Sequence, residues 1–269
     1  MKRFKQFISQ YQLLFHLAIR ELKIRYKYPF LGFLWMIFVP LSMVFVFKIV
    51  FSNIIKIYIP KYPFFIYLIT GVFPWNYLAT TLSQATTSLV DNSNLIKKVY
   101  FPREIVPISI LFGNMMIFFI IVFLLLLLLP IFRIKLSLLI VFLPLVIIWQ
   151  SIFIAGIILI CSSLQVFYRD VKYIVEIVLL FWFYITPIFY PLSLVKDISS
   201  SFLKFYMLNP LTCLITLYRI ILLPDFVSTL PKEISIFYLL NYTSLICVIF
   251  FILGFLIFRK YDRNISDFV

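Results

Sequence analysis

Long apolar runs separated by short polar links dominate the chain. They cover residues 30–51, 63–90, 105–129, 138–166, 173–190 and 236–258. Each reaches or approaches the roughly 20 residues that a helix needs to cross the hydrocarbon core of a bilayer. The pattern predicts an all-α polytopic membrane fold with six transmembrane helices. Ahead of the first run, Phe4, Phe7, Ile8, Tyr11, Leu14, Phe15, Ala18 and Leu22 recur at helical spacing, with Lys5, Ser9, Gln12 and Arg20 between them. That spacing predicts an amphipathic helix lying in the membrane interface, within an amino-terminal segment over 1–29. Tyr28-Pro29 breaks it before the first span.

The polar positions divide the membrane domain (30–258) further. The inner half of the second run carries Thr80, Thr81, Ser83, Gln84, Thr86, Thr87 and Ser88, which predicts a face turned to protein or water instead of lipid. Residues 91–104 follow as a basic island. In it Leu95, Ile96, Val99 and Tyr100 share one face of a short helix, Lys97 and Lys98 fall off that face, and Pro102 stops it. Residues 191–235 alternate short apolar pieces with Ser, Pro and charge. The piece 211–223 is too short to span and carries Arg219. It reads as part of a re-entrant or surface helix pair, acceptable at membrane depth only if buried in protein or lining a wet cavity.

Composition supports the membrane reading. The chain is 64% hydrophobic and 13% charged, against about 45–50% and 25% for a soluble domain, and its mean hydropathy is +1.10. The net charge of +14 reflects cations collected in loops. No basic face suited to nucleic acid emerges, and no nucleic-acid partner is expected. With an inward amino terminus, the inner segments hold fifteen of the 24 Lys and Arg residues, which places both termini, including the tail 259–269, in the cytoplasm. The start lacks the layout of a cleavable signal.

The chemistry the chain lacks narrows its role. A single histidine, His16, and the isolated Cys161, Cys213 and Cys247 predict neither a metal site nor a disulfide framework. The five glycines are scattered and form no phosphate-cradling loop. Glu176 is the one acid expected inside a span, where a proton-driven pump would need several. The ten acids form no cluster suited to a membrane enzyme, so no catalytic residues are assigned and a separate partner is expected to supply energy. The island at 94–103 is the natural dock for it. Aromatic residues make up 20% of the chain. Aromatic rings form interface belts and can also stack on sugar rings; Tyr184, Phe189, Tyr190, Phe205 and Tyr206 flank the irregular outer segment and are the first candidates to meet something passing out, and Trp75 and Tyr77 follow.

These residues resemble a known family. Arg20-Glu21-Leu22-Lys23-Ile24-Arg25-Tyr26, Leu31-Gly32 with Trp35 and Pro40-Leu41, Gly71 with Pro74-Trp75, Asn92 with Asn94-Leu95-Ile96-Lys97-Lys98, and Phe101-Pro102-Arg103-Glu104 recur in order. Tyr168-Arg169-Asp170, Pro187-Ile188 with Tyr190, and Asn209-Pro210 complete the series. Together they resemble the membrane permease subunits of ABC-type polysaccharide exporters, which move O-antigen, capsular polysaccharide or teichoic acid. The resemblance implies a bacterial or archaeal cytoplasmic membrane and two copies of this chain with two copies of an ABC ATPase that carries ATP and Mg. It also implies a coupling helix formed by Leu95, Ile96, Lys97, Lys98, Val99, Tyr100 and Phe101, outer gate helices within 191–235, and a lipid-linked polysaccharide entering near the first span. Arg20, Lys23, Arg25 and Lys27 then become candidates to bind the phosphate headgroup of the lipid anchor. A permease for a small drug or lipid is the nearest alternative, and an enzyme acting on lipid-linked sugars a more distant one.

Overall fold

Helices make up the regular structure of the computed structural model, which describes residues 11–26, 34–57, 59, 61–98 and 101–268. In chain order they are α1 (Tyr11–Tyr26), α2 (Trp35–Phe47) continuing into a π-helical segment (Lys48–Ile54), α3 (Phe64–Asp91), α4 (Ser93–Lys98) and α5 (Ile105–Ile131). A 3-10 turn (Leu138–Phe142) leads into α6 (Leu143–Phe167), followed by α7 (Val171–Ile185), α8 (Leu192–Ile198), α9 (Ser200–Met207), α10 (Pro210–Leu222) and α11 (Ile236–Phe268). No strand occurs among the described residues.

The fold is organised on α3. At 28 residues it is about 42 Å long, and α2, α5, α6, α7 and α10 pack around it. Its first half is buried without interruption from Ile66 to Trp75. Of the seven polar residues expected to turn away from lipid, three are buried, Thr80, Gln84 and Thr87 are half-buried, and Ser83 is exposed. Thr81, Thr86 and Ser88 are buried, and each donates its hydroxyl to a carbonyl three or four residues back, on Tyr77, Leu82 and Ala85. Such a helix tolerates polarity because its neighbours, not lipid, surround it.

Among the described residues, four segments are each long and apolar enough to cross a membrane: Ile37–Ile54, Ile105–Ile131, Leu138–Phe167 and Ile236–Asp262. The six spans expected from the runs are therefore not six equivalent helices. The second run is α3, long but tempered by its polar face. The fifth is α7, whose 15 residues reach about 22 Å, short of the ~30 Å core. In the region 191–235, Ser201–Met207 and Pro210–Leu222 form a pair bent by 86°. Together the two helices are long and apolar enough for either a broken span or a re-entrant loop, and Leu211–Leu222 are all buried in protein.

Turn chemistry explains two of the quoted motifs. The Gln165 side chain donates to the carbonyl of Arg169 and accepts from the backbone N–H of Lys172, at 2.9 and 2.7 Å, which folds Tyr168-Arg169-Asp170 into a tight reversal between α6 and α7. Asn209 caps α10 by accepting from the Leu211 N–H at 3.1 Å, with Pro210 at the first helical position. The same Asn209 accepts from Trp182 Nε1 and donates to Thr186 Oγ1, so the cap also clamps the end of α7.

Two contacts set the packing of the long helices. Gly156 on α6 and Gly254 on α11 lie backbone to backbone: a Cβ at Gly156 would collide with the Phe250 carbonyl, and one at Gly254 with that of Gly156. Small residues let helices approach this closely in a bilayer, where apolar burial alone drives little association. Elsewhere the buried Gln150 of α6 donates to the Pro74 carbonyl of α3 and accepts from the Tyr218 hydroxyl of α10, both at 2.7 Å. Replacing Gln150 with Leu deletes both bonds and strands the hydroxyl. We expect a loss of about 1–2 kcal/mol, read as a lower unfolding temperature in detergent; an unchanged transition would show that this polar tie is dispensable.

Candidate functional site

The predicted coupling segment forms a braced projection at the carboxyl-terminal end of α3. Ser93–Lys98 is helical (α4), as the spacing predicts, while Val99 and Tyr100 lie outside the described residues. Ile96 does not point outward. It is 8% exposed and joins Leu89, Phe101, Ile105, Leu159, Val166, Phe258, Ile265 and Leu17 in a second apolar cluster, with Leu95 partly buried against it. The exposed face of α4 consists of Asn94, Lys97 and Lys98. The apolar stripe read as a grip on a partner thus binds α4 to its own chain in its described part, and the polar face is presented.

The tail predicted over 259–269 is a further part of this brace. α11 continues through it, Asp262 and Ile265 are buried, and Arg103 Nη1 reaches Asp262 Oδ1 at 3.4 Å while also donating to the Asp262 carbonyl. A displacement of α4 would therefore reach α1, α3, α5, α6 and α11 through one packed cluster.

Beside it lies a polar cavity of about 300 Å³ formed by α1, α3 and α5. Arg20, one of the four cations assigned to a headgroup, lines it and donates from Nη2 to Asn92 Oδ1 at 2.9 Å, with Glu21 at 3.8 Å. The cavity also contains Asp91, which accepts from Thr87 at 2.6 Å. Two carboxylates in its wall temper its attraction for an anion. Lys23 is exposed on α1. Arg25 lies in α1 with its side chain outside the described set, and Lys27 is outside the described residues. The helix itself is not free in the interface: Leu17 and Ala18 are buried, and it packs on α5. Its predicted start, 4–10, is outside the described residues.

The aromatic candidates fall into three settings. Trp75 and Phe189 are buried, Trp75 edge-on to Phe183 at 5.3 Å and Phe189 within a cluster that includes Phe47, Phe51 and Phe183. Tyr77 stacks on Phe118 at 4.8 Å and shares a 2.8 Å hydrogen bond with Ser151, yet also edges a groove of about 230 Å³ with Trp35, Asn76, Thr80 and Asn114. Tyr190 and Tyr206 meet at 3.3 Å between their hydroxyls where α7 passes into the α8–α9 segment, and Tyr184 and Phe205 are exposed around them.

Sequence reading noted Arg219 only as a charge on a short helix and missed its role. It is 1% exposed and donates to the carbonyls of Pro187 and Ile188 at 2.8 and 2.7 Å. Its guanidinium lies 3.6 Å over the Tyr67 ring, and the Tyr67 hydroxyl donates to the Tyr190 carbonyl at 2.9 Å. Arg219 and Tyr67 thereby satisfy the non-helical backbone after α7, which could not persist unpaired in a membrane. The signal was present as a lone Arg in an apolar 13-mer opposite a Pro-interrupted stretch, but only folding reveals which carbonyls it serves.

A helical bundle built for the membrane, with a broken helix pair at one end and a braced basic projection at the other, defines a multi-pass transport subunit. The chain belongs to the ABC-2 type transporter membrane family, which matches residues 12–223. It is 34% identical over 230 residues to the O-antigen export system permease protein RfbA of Myxococcus xanthus, covering 84% of this chain and 87% of that protein. Two proteins of the same name from Klebsiella pneumoniae are 31% and 30% identical over 259 and 258 residues, covering 96% of this chain and 95% of each relative.

Proposed function

We propose that this chain is the membrane subunit of an ATP-driven exporter that moves a lipid-linked polysaccharide of the O-antigen type out of the cytoplasm. The observation that carries this reading is the similarity, over almost the whole chain, to permeases named for O-antigen export. The distribution of Lys and Arg supports both termini in the cytoplasm and hence an even number of crossings, and the six apolar runs, with α3 and α7 counted among them, fit that number. Two copies form the path. In support, α2 and its π-helical extension pack mainly on α3, leaving Phe38, Val39, Phe45 and Val46 exposed for a second copy or lipid.

Energy comes from two ABC ATPase subunits that hold ATP and Mg and bind at α4, where Lys97 and Lys98 are presented. The lipid phosphate is gathered on the inner side by the cations of α1 and the residues after it, and the glycan leaves past Tyr184, Tyr190, Phe205 and Tyr206. The test is affinity purification of the tagged chain from a strain that makes its glycan. An ATPase subunit and a lipid-linked glycan should copurify, and deletion should trap the finished lipid-linked glycan on the cytoplasmic side. Recovery of neither, with glycan export intact after deletion, would overturn the reading.

A further inference from the structure

The end of the molecule opposite α4 contains a cavity of about 350 Å³. A single water needs only ~10–15 Å³, so a polyatomic ligand fits. Its polar lining consists of Lys61 from the loop before α3, Tyr67 from α3, Ser193 from α8, Arg219 from α10, and Ser228 and Thr229 from the segment between α10 and α11. These residues are far apart in the chain, and no single sequence motif marks them.

Arg219 makes the cavity unusual. The two bonds to the Pro187 and Ile188 carbonyls explain its two terminal nitrogens, but a neutral amide could serve carbonyls as well. The positive charge and Nε are left over. Nε is buried without a hydrogen-bond partner, and among the described residues no carboxylate forms an ion pair with Arg219 or Lys61. Arginine does not shed its proton inside proteins. The fold therefore holds a permanent buried charge against neutral carbonyls and one aromatic face, an arrangement that leaves part of the desolvation cost unmet. Lys61 brings a second cation to the rim, where its Nζ donates to Ser228 Oγ at 2.8 Å. Of the acids at this end, Asp197 and Asp225 are exposed and form no ion pair with Lys61 or Arg219 among the described residues, and Glu233 is bound to Lys196 at 2.8 Å, a contact that holds its carboxyl below the usual range.

We propose that this cavity binds a phosphate or diphosphate group. A dianion matches two cations: Lys61 Nζ keeps two further protons for charge-assisted bonds, the Arg219 charge lies in the wall, and Ser193 offers a hydroxyl, while Ser228 and Thr229 already donate theirs to the Asp225 and Phe226 carbonyls. The ligand is either a free oxyanion or the headgroup of a lipid. The binding chemistry stands independently of the export reading; only the assignment of the cavity to the outer side rests on it.

The test uses the full chain, purified with its ATPase partner in neutral detergent and titrated at constant ionic strength. One arm uses inorganic pyrophosphate and the other polyprenyl diphosphate, with sodium chloride as the control. Saturable thermal stabilisation by either probe is expected. Lys61→Gln should weaken it at least fivefold, and Arg219→Gln should abolish it. Should Arg219→Gln fail to fold, Lys61→Gln decides alone, because Lys61 is exposed in a loop. Saturation by pyrophosphate identifies a free-oxyanion site, and saturation by the lipid form alone identifies a headgroup site. No saturable response to either probe, or an unchanged response in Lys61→Gln, would overturn the proposal. Such a failure would leave copurification of ATPase and glycan untouched, so the two readings fail separately.

Discussion

Reversing both exposed charges of α4, as Lys97→Glu with Lys98→Glu, is expected to strip the ATPase from the purified complex and to cut glycan export at least tenfold. Both side chains are exposed on the braced projection, so the chain should fold and insert normally. One exposed ion pair contributes little, about 0.2–1 kcal/mol. Reversal of two adjacent charges does more, replacing attraction with repulsion at both positions. Tenfold corresponds to about 1.4 kcal/mol, within reach of such a change. The association should also weaken with salt, because exposed charges are screened over ~8 Å at physiological ionic strength. Retention of the ATPase at wild-type stoichiometry by the double variant would remove α4 as the docking surface. A charge at Ile96 is the less informative experiment: that side chain is buried in the chain's own inner cluster, and its replacement would damage the fold before it reported on coupling.

The second large effect concerns the α6–α11 crossing. Gly156→Val should prevent recovery of folded protein, or lower its unfolding temperature by roughly 6 °C or more. Overpacking a core normally costs about 1–3 kcal/mol because side chains can shift. Here the obstacle is the backbone of Phe250 and Phe251, which cannot move without separating two membrane helices along their shared contact. Gly254→Ala should act in the same direction, since its Cβ would strike the backbone of Gly156. Leu253→Ala is the control, a half-exposed neighbour on the same helix with little to lose. The measurement is the monodisperse peak and thermal transition of detergent-purified protein. If Gly156→Val matches wild type in both, the helices do not cross where the structure brings them together.

The two experiments draw on different levels of information. The basic island was legible because Lys97 and Lys98 interrupt apolar runs and Pro102 ends a short helix. Its orientation was not: the stripe at Leu95, Ile96, Val99 and Tyr100 marks an apolar face without stating what covers it. Tertiary structure assigns Ile96 to the same chain because α1, α6 and α11 converge there. Gly156 and Gly254 were visible only as isolated glycines 98 positions apart, and no local rule pairs such residues.

What the sequence determined by itself is what depends on neighbours along the chain. Apolar runs of membrane length specify helices, and Asn209-Pro210 starts a helix through its own cap and ring. The polar second half of α3 announced a partly buried face. Tertiary structure decided what depends on distance through space. It buried α3 at the centre, closed Gly156 onto Gly254, and brought Arg219 beneath Pro187, Ile188 and Tyr67 with Lys61 nearby. A buried charge has no periodicity to betray it. Its partners come from segments more than thirty residues away, and only the packed fold sets them side by side.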